Sequence, residues 1–111
     1  MAADPPDPHV HVDARLGGEV VARDMLASAF GLAADLPSEV RTGCGRRVAR
    51  AMTAVRPESV TCLPCREFAR DAHERLAEQV ETLGAMPGST VSPEQAAAAA
   101  ASHRDRAARF R

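Results

Sequence analysis

Lysine, isoleucine, asparagine, tryptophan and tyrosine are all missing from this chain of 111 residues, and phenylalanine occurs three times. Nucleic-acid readers often add aromatic residues that stack on bases, and this chain has none beyond those three Phe. No apolar run reaches the ~20 residues needed to cross a bilayer. No basic start followed by an apolar stretch marks a secretory leader. A cytoplasmic location is therefore expected. Large apolar side chains are scarce too: seven Leu, four Met, the three Phe and a set of Val, with Ala supplying much of the rest. Alanine buries little area, so the core is thin, and a small thin-cored domain ordinarily needs a staple. Cysteine occurs three times, too few for a disulfide framework; in a reducing compartment such residues read as metal ligands or redox groups.

What is present is unevenly distributed. Residues 1–40 carry seven acids against two Arg, and residues 41–75 carry eight Arg against four acids, although the net charge is only −1. The stretch "MAADPPDP" (1–8) reads as a disordered leader, its prolines having no apolar partners. "HVHVD" (9–13) alternates strictly, which puts Val10 and Val12 on one strand face and His9 and His11 on the other. The spacing of Val21, Met25, Ala29 and Leu36 predicts a helix over 19–36 that stops before Pro37. "SEVRTGCGRRVARAM" reads as a strand, a tight Gly-Cys-Gly turn and a second strand, with a helical alternative for the last part. From Pro64 to Leu83 the pattern is helical, with Ala69, Ala72, Leu76, Val80 and Leu83 on one face and Gly84 and Pro87 as the stop. Beyond a linker, Ser92-Pro93-Glu94-Gln95 is a capping box that starts an Ala-rich helix. That helix has almost nothing to bury and is expected to fray unless something else docks it. The expected fold class is α+β: residues 9–86 form a short zinc-stapled sheet or hairpin packed with two helices, and residues 87–111 form a linker and an Ala/Arg-rich helical tail.

The chemistry is carried by the cysteines. Cys62 and Cys65, in "VTCLPC", stand at a helix start, where the dipole and free amides favour thiolate. Cys44-Gly45 is the second half of a zinc-knuckle turn, with Arg41 in the place of the first cysteine. Three thiolates are one ligand short of a structural zinc site. Of the four histidines, His73 lies eight residues beyond Cys65, a helical rise of about 12 Å that no shared zinc spans. His73 is expected to pack or hydrogen-bond along the apolar stripe, and His103 lies in the tail with nothing to fix it. His11, deeper in the ordered part, is the favoured fourth ligand and His9 is its rival. The expected metal set is thus Cys44, Cys62, Cys65 and His11, with His9 as the alternative and Zn2+ as the cofactor.

A His on an early strand followed by "TGCGRRV" and "VTCLPC" resembles the small zinc-binding proteins common in actinobacteria, of zinc-ribbon or treble-clef-like type. The resemblance covers the metal core alone and implies the three cysteines and a histidine as ligands. WhiB-like iron–sulfur regulators need four cysteines, and zinc-containing anti-sigma factors place a His where this chain has Glu58. The "HVHVD" segment also matches the H-x-H-x-D of metallohydrolases, but those enzymes use further ligands on larger scaffolds. Three thiolates and an imidazole make a closed set, so no catalysis is expected at this site. The expected function is that of a regulator or adaptor acting through contacts with a protein partner, possible homodimerisation included, with transcription as the analogy. Two alternatives stand beside it. Arg46, Arg47 and Arg50 could meet nucleic-acid phosphates. The C-x-x-C could be a thiol–disulfide couple, although nothing after Leu83 supplies the strands of a thioredoxin-like fold.

Overall fold

The computed structural model describes residues 7–16 and 38–111. The helix expected over 19–36 and the first six residues of the leader lie outside the described residues. Two short antiparallel strands, β1 (Glu39–Arg41) and β2 (Arg47–Ala49), pair in the register Glu39 to Ala49, Val40 to Val48 and Arg41 to Arg47. Two long helices follow, α1 (Leu63–Ala85) and α2 (Pro93–Arg109), so the architecture is α+β. Single 3-10 turns at Arg50–Met52 and Pro57–Ser59 bridge β2 to α1; the helical alternative for the end of the hairpin is realised only as the first of these.

The hairpin turn is shaped by its glycines. Gly45 has φ +89°, a conformation that side chains disfavour. At Gly43 an added Cβ would land inside the Phe68 ring, so the turn rests directly on α1. The "HVHVD" segment threads between the other elements. Val12 C=O accepts from Gly43 N–H (2.9 Å), and Ala14 N–H donates to Arg41 C=O (2.9 Å), which joins the segment to the hairpin. His11 N–H donates to Met52 C=O (2.8 Å), and Val10 C=O accepts from Thr61 and Cys62 (3.0 and 3.1 Å). Val10, His11, Val12 and Ala14 thus fasten the hairpin, the loop after it and the start of α1. His11 and Val12 are consequently both buried, instead of one face being solvated.

The two helices form an antiparallel hairpin, and here the expectation for the tail is corrected. The capping box is present: Ser92 Oγ accepts from Gln95 N–H (3.1 Å) and Ser92 N–H donates to Gln95 Oε1 (3.0 Å). The helix it starts is docked along α1, burying Ala96, Ala100 and Ala107, and Phe110 just beyond it enters the core beside Val12, Val60, Cys62, Cys65 and Ala69. The tail therefore has something to bury, and small residues are what allow it. The buried line of α1 is Cys65, Ala69, His73, Ala77 and Gly84, and a Cβ at Gly84 would collide with the Ala96 methyl. The expected stripe holds at Ala69 and is displaced by one residue after it. Ala72, Leu76 and Val80 are half-buried flanks, and Leu83 is 45% exposed. Hydrophobicity marked the larger side chains, whereas close helix contact selects the smallest ones.

Polar contacts lock the hairpin at both ends. His73, expected to pack, meets His103, expected to be unfixed, with Nδ1 atoms 3.0 Å apart, and Phe110 stacks on His73 at 6.0 Å. Arg104 pairs with Glu81. Arg109 grips the Glu58 carboxylate with two bonds (2.6 and 2.8 Å), which holds that carboxyl at a pKa of about 2. Arg66 donates to Pro57 and Val60 carbonyls on one side (2.6 and 2.8 Å) and to Arg109 and Arg111 carbonyls on the other (2.9 and 3.1 Å). Its guanidinium also lies over the Phe110 ring.

Two outcomes are expected. Gly84→Val overfills the closest helix contact and should destabilise the chain by about 1–3 kcal/mol in chemical denaturation. Burial, the neighbouring His103 and Arg106 hold the pKa of His73 below its ordinary value, so the folded state prefers it neutral. That preference contributes fully above the unfolded imidazole pKa of about 6.5 and is lost as pH falls through the lower folded value. The melting temperature should therefore drop on acidification below about pH 6.5, and His73→Gln should make that drop shallower.

Candidate metal centre

Among the fully buried side chains of the described residues, the largest are His11 (1% exposed), Thr42 (2%) and Cys65 (0%). A core centred on an imidazole, a hydroxyl and a thiol is not a hydrocarbon core. Polar groups placed there need partners, and here they find one another.

Four donor atoms converge from three parts of the fold. The threaded segment brings His11, the hairpin turn brings Cys44, and the start of α1 brings Cys62 and Cys65. One donor from each residue lies within 4.8 Å of all the others. His11 Nδ1 is 3.5 Å from both Cys44 Sγ and Cys65 Sγ. A tetrahedral ion with metal–sulfur bonds of about 2.3 Å and metal–nitrogen bonds of about 2.0–2.1 Å sets neighbouring N and S donors about 3.5 Å apart. The observed separations match that geometry, so these residues can hold one metal ion. His9 lies outside the cluster: its imidazole is exposed, with Nδ1 3.4 Å from Thr61 Oγ1.

Residues around the donors orient them. His11 Nε2 is 2.6 Å from Asp7 Oδ2, which orients the ring so that Nδ1 faces the thiols. Asp7 is itself held by Arg46 (2.9 Å) and by the His9 backbone N–H (3.0 Å). These contacts keep its carboxyl below the usual range, the backbone bond from His9 and the bond to His11 being the largest causes. The sequence reading consigns Asp7 to the leader; the i,i+4 spacing to His11 is the only signal in the sequence that connects them. Thr42, two residues before Cys44, also supports the site. Its hydroxyl accepts from Arg46 N–H (3.0 Å) and lies 3.1 Å from Cys44 Sγ.

The sulfurs are not equivalent. At Cys44 burial pushes the thiol up, but the Thr42 hydroxyl, the Arg46 backbone amide, Cys65 and His11 outweigh it and bring the pKa to about 7. At Cys62 burial dominates and raises the thiol to about 11, against the pull of the Cys65 backbone amide. A bound cation would favour thiolate at all three. The three residues expected to meet phosphates are placed less freely. Arg46 holds Asp7, Arg47 lies 3.9 Å from Glu39 across the hairpin, and Arg50 is half-buried beside Asp13 and His73 in the lining of a cavity of about 210 Å³. No helix among the described residues is long and apolar enough to cross a membrane.

Comparison with known proteins found no family model, no curated protein and no solved structure that matches the chain. The geometry of the site therefore carries its own interpretation. Removing the carboxylate behind the ligating histidine should weaken metal binding more than it weakens the fold. In Asp7→Ala, competition titration with Co2+ as the probe ion should show an affinity about 10–100-fold lower, with the far-UV spectrum of the metal-loaded protein unchanged.

Proposed function

We propose that the chain is a non-enzymatic zinc protein in which Cys44, Cys62, Cys65 and His11 hold one structural Zn2+, and that it serves as an adaptor or regulator through contacts with another protein. The observation that carries this reading is the convergence of three thiols and an oriented imidazole in the buried centre. Soft sulfur donors with one nitrogen in a tetrahedral arrangement suit zinc, whereas calcium and magnesium require oxygen. With four protein ligands the coordination shell is full, and no position is left for substrate or an activated water. The metal then acts on the fold. Zinc bound in this way contributes about 10–16 kcal/mol of apparent free energy, enough to decide whether an Ala-rich core assembles.

The function of a protein with a closed metal site lies on its surface. Val55, Leu63, Leu83 and Met86 are the exposed apolar side chains available for such contacts. The engagement of Arg46 with Asp7 and of Arg47 with Glu39 counts against a dedicated phosphate surface. A redox C-x-x-C exposes a low-pKa nucleophile, whereas Cys62 is buried with its thiol raised. Thiolates of this kind persist in a reducing compartment, in keeping with a cytoplasmic setting.

Elemental analysis of protein purified without added metal tests the site. One zinc per chain is expected, together with loss of helical circular dichroism on chelation and in Cys65→Ser. A folded wild-type chain free of zinc, and unaffected by a chelator, would sink this reading.

A further inference from the structure

The four ligands differ in how solvent reaches them. Cys65 and His11 are sealed and Cys62 is nearly so, whereas Cys44 is half-buried at the tip of the hairpin. Its following residue, Gly45, is exposed, and a Cβ built there meets nothing within 4 Å. Cys44 is thus the least buried of the four ligands. Cys65 Sγ lies within 4.8 Å of Cys44 Sγ, and each is 3.5 Å from His11 Nδ1. A partly accessible thiol with a second, buried thiol close behind it is the arrangement of an oxidation-sensitive pair.

We infer that Cys44 is a peroxide-modification site and that Cys65 resolves it, so that a small peroxide converts the metal cross-link between hairpin and α1 into a disulfide. This inference rests on the metal site proposed above. In the first step the Cys44 thiolate attacks a peroxide oxygen: an S–O bond forms, the O–O bond breaks, and hydroxide leaves and takes up a proton as water. In the second, the Cys65 thiolate attacks the sulfenic sulfur: an S–S bond forms and the S–O bond breaks, releasing a second hydroxide. The two sulfurs together lose two electrons and the peroxide gains them. The metal keeps only His11 and Cys62, a pair too small to hold it, and leaves.

Oxidation on this route does not simply unstaple the molecule. The hairpin stays tied to α1 by a covalent bond, while His11, freed from the metal, is held only by Asp7 and its backbone bonds. The element that changes is the threaded segment. The hairpin–helix junction persists.

The test uses the full chain, with zinc content measured first, treated with hydrogen peroxide in the presence of a sulfenic-acid-specific dione. A chromophoric chelator follows the released zinc, and peptide mapping without reductant follows the sulfurs. Early adducts should fall on Cys44 in about tenfold excess over Cys62 and Cys65. Without the dione, one zinc should be released for each Cys44–Cys65 disulfide formed. A zinc-loaded chain whose first adduct falls on Cys62 or Cys65, or whose first disulfide joins Cys62 to Cys65, overturns the inference and leaves the metal site standing. A chain that holds no zinc at the outset overturns the metal site, and this inference with it.

Discussion

The rest of the structure depends on a polar centre that cannot be left unsatisfied. His11, Thr42 and Cys65 occupy the place where a domain of this size would ordinarily put leucine or phenylalanine. Each is buried only because another group meets it. Asp7 meets the far side of the imidazole, the Arg46 backbone meets the threonine hydroxyl, and the thiols meet the near side of the imidazole. Such a centre demands accurate placement of three separate chain segments. That accounts for the number of backbone bonds spent on the five residues from Val10 to Ala14 and for the tight packing of Gly43 on Phe68. No buried side-chain nitrogen or oxygen among the described residues lacks a partner.

Around that centre the apolar contacts are made mostly by small side chains. Ala69, Ala77 and Gly84 on one helix face Ala96, Ala100 and Ala107 on the other, and the helix backbones approach closely. Each alanine buries little area, so the docking energy is spread thinly along the hairpin. Phe110 concentrates it at one end, between α1 and the threaded segment. The ionic contacts Glu81–Arg104 and Glu58–Arg109 are exposed and set register more than they add stability.

Much of the site is legible in the sequence because its chemistry is local. The Gly-Cys-Gly turn and the C-x-x-C ahead of a helix are short patterns with a direct physical meaning, and His11 is singled out by lying deeper in the ordered part than His9. The argument that His73 is too far along the helix needs only the helical rise. The supporting contacts are less legible. Asp7 looks solvated because nothing in "DPPDP" reveals that Arg46, 39 residues away, completes its surroundings. The tail looks unable to pack because hydropathy counts side-chain area, while this interface gains from having little of it. The same bias placed the face of α1 correctly at Ala69 but one residue short of His73, Ala77 and Gly84. The regularity of 96, 100, 103, 107 and 110 was available all along, but its members do not look apolar enough to be read as a seam.

Arg66 gives these parts a common fate. One guanidinium holds the carbonyls that precede the C-x-x-C and the carbonyls that end α2, and it covers the aromatic ring between them. A helix end ordinarily frays by itself, one turn at a time, at little free-energy cost. Here the last turn of α2 cannot lift without also freeing the loop that presents Cys62. Opening at this end is therefore a concerted event, and amide protons at the end of α2 and in the 57–62 loop should exchange as one cooperative unit.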